Sequence, residues 1–327
     1  MTINITKIAE THHAGIAVWA GPVIVAAFAG AALVPNLLSD YASQISFRLM
    51  LYIVLAEAWN LLAGYCGLVS LGSASFVGVG AYVLVGLLNG AGFPVAPAVV
   101  IAGLAGATLA ALISPAVFRL RGLYFTVGTL ALGEALRLLM INVPWFGGAT
   151  GLFLHTEWPS SQELYFWALA LLVITEGALS IGTQSRLSVL MRAVRDDEDA
   201  ASQVGVRAFR VKLGAFMVAG FLMSAAGGLQ AYKLTAVEPY GMFGLQWSVD
   251  VLAMVIIGGI GLRYGPVIGA VFVVMLGELL ADYPELHVAI TGVILIIVIR
   301  FAPKGLAGLA ADVGRLFADR YGQGQPA

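Results

Sequence analysis

The side chains in this sequence that could do chemistry are charged groups inside long apolar runs. A charge at the centre of a membrane helix costs about 2.5–3.5 kcal/mol on insertion scales, so it needs a partner, a water cavity or neutralisation. Glu134 and Arg137 stand three positions apart and could pair along one helix. Glu57 and Glu278 have no evident local partner, so they could pair with another helix, line a path or carry a proton. The charged groups within or near apolar runs are Glu57, Glu134, Arg137, Glu176, Asp250 and Glu278.

Recognisable enzyme chemistry is absent from the sequence. None of the lysines is followed by Ser or Thr, so there is no GxxxxGK[ST] phosphate loop, and the HExxH and GxSxG patterns are also missing. The single cysteine, Cys66, excludes an internal disulfide or a cysteine zinc site. In GGIGLRYG (258–265) the third glycine comes one position late for a dinucleotide loop. We therefore expect a chain that is not an enzyme and binds no cofactor itself.

The composition indicates a polytopic membrane protein. Of the 327 residues, 60% are hydrophobic and 11% charged, whereas a soluble domain has about 45–50% and about 25%. A helix needs about 20 apolar residues to cross a bilayer. The sequence thus predicts an all-α, polytopic membrane helical bundle of about ten transmembrane segments, some broken or re-entrant. The predicted spans are 14–38, 48–68, 74–90, 94–118, 122–142, 164–183, 211–235, 246–262, 265–281 and 286–302.

The placement of Lys and Arg supports this arrangement. Cytoplasmic loops collect basic residues, so we place the loop 184–210 inside and alternate from there. Only Arg48, Arg137 and Lys233 then lie toward the outside, and both termini are cytoplasmic, although one pair of helices more or fewer would preserve much of the bias. We expect a single transmembrane domain over 1–308 and a short cytoplasmic tail over 309–327. The inside residues are Lys7, Arg119, Arg121, Arg186, Arg192, Arg195, Arg207, Arg210, Lys212, Arg263, Lys304, Arg315 and Arg320, with Arg300 close to that face.

Two glycine-rich stretches suggest interrupted helices. In GGIGLRYGPVIGA (258–270) the glycines recur every four residues, which favours close helix packing, and Pro266 also suggests two half-helices meeting at a turn. In GLVSLGSASFVGVGAY (67–82) three serines could line a polar cavity or join neighbouring helices. Both interpretations remain open for each stretch.

The most charged stretch is RAVRDDEDAASQVGV (192–206). Asp196 or Asp197 could cap a helix, the next acids would complement its dipole, and Gly205 is a natural stop. Such a helix of about two turns has a small apolar face formed by Ala200, Ala201 and Val204. That face either belongs to a solvated loop or docks against a partner.

Several motifs in order resemble the permeases of ABC importers, and most closely the LivM-type permeases of branched-chain amino-acid importers. Asp199-Ala200-Ala201-x-x-x-Gly205 resembles their EAA---G loop, with Asp for the usual Glu. The segments 64–82, 119–139, 147–152, 255–270 and 301–308 are similar to further blocks of the family. Ser73 replaces a common His, Leu68 a common Gln and Thr150 a common Asn, which leaves the solute more open than the transporter class.

The resemblance implies a permease subunit in a bacterial inner membrane that works by alternating access. It implies a heterodimer with a related permease, two cytoplasmic ATPases that use ATP and Mg, and a periplasmic or surface solute-binding protein. The implied solute is a branched-chain amino acid or a related small polar molecule. The alternative that the carboxylates leave open is a proton-coupled secondary transporter.

The resemblance also assigns site residues. The predicted ATPase-coupling residues are Asp199, Ala200, Ala201 and Gly205, framed by Arg192, Arg195 and Arg207. The predicted translocation path comprises Ser70, Ser73, Ser75, Glu134, Gly258, Gly259 and Gly261.

Overall fold

The computed structural model describes residues 39–155, 158–302 and 305–309, without the side chains of residues 91 and 284–288. The predicted span 14–38 and residues 310–327 of the predicted tail lie outside the described residues. The helices are α1 (Asp40–Asn60), α2 (Ser73–Ala91), α3 (Val95–Val117), α4 (Leu123–Asn142), α5 (Ser161–Gln184), α6 (Arg186–Asp196), α7 (Glu198–Gln203), α8 (Ala208–Leu234), α9 (Pro239–Met242), α10 (Leu245–Gly258), α11 (Gly265–Leu279) and α12 (Pro284–Phe301).

The all-α membrane fold is confirmed, and the count of ten spans is not. Within the described residues, seven helices are long and apolar enough to cross a membrane. Two shorter apolar helices, Gly265–Leu279 and Ala289–Phe301, coincide with the last two predicted spans. A short antiparallel pair, β1 (Leu152–Phe153) and β2 (Ala236–Val237), joins the segment before α5 to the end of α8.

Helix α8 is the centre of the bundle, packed between α2 and α3 at backbone contact. A Cβ on Gly80 of α2 would lie 1.8 Å from the Ser224 carbonyl oxygen of α8. A Cβ on Gly106 of α3 would lie 2.3 Å from the Gly220 carbonyl oxygen. The Ser224 hydroxyl also donates to the Phe76 carbonyl at 2.9 Å. Small residues allow the backbones to approach this closely, and dispersion contacts and hydrogen bonds then hold helices together in lipid.

Helix α4 is peripheral by comparison. Its buried residues are Phe125, Thr129 and Gly133, a stripe of one residue per turn. Large side chains on its other faces are exposed within this chain, Leu123 and Tyr124 by more than three-quarters. Helix α4 therefore touches the bundle along one narrow line.

Two interruptions shape the end of the bundle that carries α6 and α7. Helix α1 continues as a π-helical turn (Leu61–Tyr65), and the chain is then non-helical until α2 begins at Ser73. The second interruption separates α10 from α11 at 259–264. The helix is interrupted there, as Pro266 suggested. The glycines also allow close packing, because a Cβ on Gly258 would lie 1.9 Å from the Gly265 carbonyl oxygen across the α10–α11 hairpin.

Candidate functional site

The charged stretch 192–206 forms the end of α6, the short helix α7 and a sharp stop. Asp197 caps α7, since its carboxylate accepts a hydrogen bond from the Ala200 N–H at 2.9 Å. Of the two predicted caps, Asp197 is therefore the one used. Glu198 and Asp199 occupy the first turn, where negative charge complements the helix dipole.

Gly205 ends α7 as the pattern predicts. Its φ is +91°, a left-handed conformation that glycine adopts without steric cost. The Val206 N–H donates to the Ala201 carbonyl at 3.0 Å and the Gly205 N–H to the Ser202 carbonyl at 3.1 Å. These two bonds form a Schellman motif, which satisfies carbonyls that would otherwise be left unpaired. The chain therefore turns sharply away from α7 into α8.

Two ion pairs fix α7 to the rest of the bundle. Asp199 accepts two hydrogen bonds at 3.2 Å from Arg121, in the loop before α4. These bonds raise the pKa of the Arg121 guanidinium. Glu198 pairs with Lys212 on α8. The sequence patterns did not identify Arg121 or Lys212 as partners, because both contacts depend on tertiary structure.

The predicted apolar face of α7 divides into an inner and an outer part. Ala201 is buried, whereas Ala200 is exposed and Val204 is 81% exposed. A valine so exposed beside a rigid turn offers a small apolar knob to solvent. The geometry therefore suits contact with a partner better than internal packing alone.

The three framing arginines have different positions. Arg192 lies over the Tyr65 ring at 5.7 Å. Arg195 pairs with Asp196 and points inward, where its Nη1 donates to the Gly64 carbonyl at 2.7 Å. Arg207 is exposed at the start of α8. Arg195 is thus the framing residue that connects the α6–α7 segment to the π-helical turn.

The non-helical segment 67–72, here named the crossing loop, is held by hydroxyl groups of other helices. On α4, the Thr126 hydroxyl donates to the Val69 carbonyl at 2.8 Å, and Thr129 Oγ1 accepts from the Leu71 N–H at 3.0 Å. On α10, the Ser248 hydroxyl donates to the Leu71 carbonyl at 2.8 Å. These side chains supply the partners that a non-helical backbone needs inside a membrane protein. The sequence analysis missed these partners, because no local pattern shows which distant hydroxyl groups reach the loop.

The three predicted path serines lie in or next to the crossing loop. Ser70 accepts from the Gly72 N–H at 3.1 Å and is buried. The hydroxyls of Ser73 and Ser75 are fully buried and have no hydrogen-bond partner in the described part of the chain. Ser75 lies beside α4, with its hydroxyl 3.3 Å from where a Cβ on Gly133 would be. An unpaired buried hydroxyl is costly, so these two groups stand out as available for a polar ligand or water.

Glu134 lies next to this group on the exposed side of α4. It forms the predicted ion pair with Arg137, whose guanidinium also lies 4.9 Å from the Tyr240 ring centre. A small cavity of about 30 Å³ is lined by Glu134, Gly133 and Leu71 among others. The structure therefore places Glu134 near Ser75, whose hydroxyl approaches the neighbouring Gly133.

The predicted path glycines of the second interruption lie elsewhere. Asn60 of α1 holds them: its Oδ1 accepts from the Gly261 N–H at 2.8 Å, and its Nδ2 donates to the Leu262 carbonyl at 3.1 Å. A Cβ on Gly64 would lie 2.6 Å from the Gly261 nitrogen. Gly258 and Gly259 are buried in the α10–α11 hairpin. The predicted path residues thus form two groups, and Arg195 reaches the edge of the second.

The carboxylates without local partners pair across helices. Arg263 lies between Glu57 of α1, at 3.4 Å, and Glu176 of α5. Glu278 pairs with Arg48 and accepts from the Tyr41 hydroxyl. Glu57 Oε1 is buried and has no hydrogen-bond partner in the described residues. No group of three or more His, Cys, Asp or Glu in the described ranges could hold a metal ion.

Comparison with known proteins shows the family of the chain. Residues 41–299 match a family model described as branched-chain amino acid transport system / permease component. Two similar relatives are the high-affinity branched-chain amino acid transport system permease proteins LivM of Escherichia coli K12, 29% identical, and of Salmonella typhimurium LT2, 28% identical. Each alignment covers 83% of this chain and 71% of the relative. No solved structure matches.

Proposed function

Because the chain belongs to the family of branched-chain amino-acid transport permeases, we propose that it is a membrane permease subunit of an ATP-driven importer in a bacterial inner membrane. Its solutes are branched-chain amino acids or related small polar molecules. It pairs with a related permease, binds two cytoplasmic ATPases and receives solute from a binding protein. Residues 1–308 form the permease domain, both termini are cytoplasmic and 309–327 form a short tail.

The observation that carries this proposal is the construction of α7. A helix of six residues is too short to persist alone in water. Here a cap, a Schellman stop and two ion pairs hold it in place, while Val204 remains 81% exposed. A stretch that only had to be solvated would not need this support. A rigid, exposed helix with an apolar knob is suited to fit a groove on an ATPase.

The arrangement indicates how ATPase closure would move the permease. The ATPases supply ATP hydrolysis and its magnesium, and this chain contributes the docking helix. Movement of α7 would pass to α4 through the Asp199–Arg121 pair and to α8 through Glu198–Lys212. Because α8 packs against α2 and α3 at backbone contact, its displacement would shift both helices with it. Alternating access follows if these shifts expose the polar groups near Ser73 and Ser75 first to one side of the membrane and then to the other.

A pull-down tests the docking assignment. The tagged chain is expressed in its native host and purified in mild detergent, and the proteins recovered with it are identified by mass spectrometry. We expect Val204→Glu to lose the P-loop ATPase at least tenfold while keeping the second permease, because the charge lies on the exposed knob. Trp158→Glu, at a similarly exposed position in the loop before α5, is the matched control for a new surface carboxylate. Equal ATPase recovery from both variants would contradict docking at α7.

One observation favours a second function, a proton-coupled secondary transporter. Glu57 is 2% exposed, and its Oε1 has no hydrogen-bond partner in the described residues. Two carboxylates also share the single guanidinium of Arg263. A surplus carboxylate of this kind could take up and release a proton. The family match and the design of α7 favour the importer instead.

A further inference from the structure

The crossing loop lies between two cavities that follow one another along α4. On the α6–α7 side, a cleft of about 590 Å³ is lined by Val69 of the loop and by residues 120–123, 125 and 126 around the start of α4. On the other side, the cavity of about 30 Å³ is lined by Leu71 and by Leu130, Gly133 and Glu134, one to two turns further along the same helix. The Thr126 contact lies at the edge of the cleft, and the Thr129 contact lies between the two cavities.

We propose that the crossing loop is the inner gate of the translocation path, closed by its hydrogen bonds to α4 and α10, and that Arg195 links it to the docking helix. The existence of a translocation path rests on the proposed function, whereas the barrier at the crossing loop is inferred from the geometry alone. The gate separates the cleft near α7 from the unpaired hydroxyl of Ser75 and from Glu134.

The closing contacts are few and directional. Three side-chain hydroxyls bind the loop backbone at Val69 and Leu71, two from α4 and one from α10. Only a narrow stripe of α4 is buried. A small displacement of α4 would therefore break its two hydroxyl contacts without unpacking the core. The Ser248 contact and the hydrogen bond of 2.7 Å that the Trp59 indole of α1 donates to the Ser70 carbonyl would remain. The hydroxyls can exchange these contacts for water, which makes the closed state reversible.

Arg195 packs on the base of the same loop. Its Nη1 binds the Gly64 carbonyl in the π-helical turn. Gly67, the first residue of the loop, has φ +72°, and a Cβ there would lie 2.8 Å from Arg195 Cγ. The Arg195 side chain thus extends from the end of α6 to the point where the loop leaves the π-helical turn. Movement of α7 would reach the gate by this route.

Chemical access to position 75 measures the gate directly. In a Cys66→Ala background the chain has no native thiol, because Cys66 is its only cysteine. Ser75→Cys then places a thiol of similar size at a fully buried position beyond the loop. Inside-out membrane vesicles expose the α6–α7 side to a small, membrane-impermeant methanethiosulfonate. We expect slow labelling of this introduced thiol when the loop is closed.

The test compares gate variants in that background. Thr126→Val with Thr129→Val keeps the side-chain shape and removes both α4 contacts, and we expect the introduced thiol to label at least fivefold faster. Thr108→Val is the matched control, because the Thr108 hydroxyl bonds only within its own helix α3. Labelling no faster than in this control would overturn the gate. If the double variant is not monodisperse on size exclusion, Ser248→Ala decides by the same criterion.

The Arg195 link has its own readout. With the ATPase bound, adding ATP should change the labelling rate of the introduced thiol at least threefold. Arg195→Gln should abolish that change while ATPase recovery stays as in the parent chain, and Arg195→Lys should restore part of it. A full nucleotide response in Arg195→Gln would overturn the link. The gate comparison needs neither ATPase nor solute, so failure of the importer assignment and failure of the gate are distinguishable.

Discussion

At the scale of single residues, the glycines differ sharply in what they permit. Gly80 of α2 touches the α8 backbone, where an added Cβ would lie 1.8 Å from the Ser224 carbonyl oxygen. Gly86, further along α2, has no atom within 4 Å of an added Cβ. The first position needs glycine for close approach, whereas the second does not. Composition alone could not separate these two roles, because the contact lies on a distant helix.

This contrast predicts opposite effects of the same substitution. Gly80→Ala should destabilise the bundle by about 1–3 kcal/mol, because α2 and α8 must move apart. Gly86→Ala should be neutral or stabilising by up to about 1 kcal/mol, because alanine favours a helix over glycine. Thermal unfolding of both variants in detergent, followed by tryptophan fluorescence, provides the comparison. Equal midpoints for the two variants would argue against close packing of α2 on α8.

At the scale of elements, local signals in the sequence were sufficient to predict helix α7. They were insufficient to predict the ion pairs that connect α7 to the rest of the bundle. The cap, the acidic first turn and the glycine stop act within a few residues, so the pattern in 192–206 predicted them correctly. The crossing loop was also visible as a glycine- and serine-rich interruption. Its partners Thr126, Thr129 and Ser248 were not, because they come from helices distant in sequence.

The cap of α7 supports a prediction at this scale. Asp197→Ala removes the acceptor of the Ala200 N–H and should cost the helix about 0.5–2 kcal/mol. If docking requires the folded helix, ATPase recovery in the pull-down should fall by about two- to thirtyfold. Ser185→Ala removes the corresponding cap of α6 and is the matched control, with recovery close to the parent chain. Similar losses in both variants would point to general destabilisation instead of docking.

At the scale of the whole molecule, the sequence predicted the membrane bundle and the order of its spans. It did not predict that the interruption after α1 and the interruption between α10 and α11 contact each other. Asn60 binds Gly261 across 201 positions, and no local pattern specifies that contact. The same distance in sequence hid the partners of Glu57 and Glu278. Their pairing with Arg263 and Arg48 removes one reason for assigning them to a proton path, although Glu57 Oε1 still lacks a partner in the described residues.

Glu57 therefore provides the test between the two transport mechanisms. Glu57→Gln removes the charge and the titratable proton while nearly conserving shape, and Arg263 keeps its pair with Glu176. An ATP-driven importer should retain leucine uptake within about threefold, since the driving force enters through α7. A proton-coupled transporter should lose uptake altogether, because a glutamine cannot cycle between charged and neutral forms. Glu176→Gln is the matched control for loss of one carboxylate at Arg263.

Uptake of radiolabelled leucine by intact cells, with arsenate to deplete ATP or a protonophore to collapse the gradient, separates the two mechanisms. We expect uptake to survive the protonophore and the Glu57→Gln substitution and to stop with arsenate. The opposite pattern would support proton-coupled transport through the carboxylates.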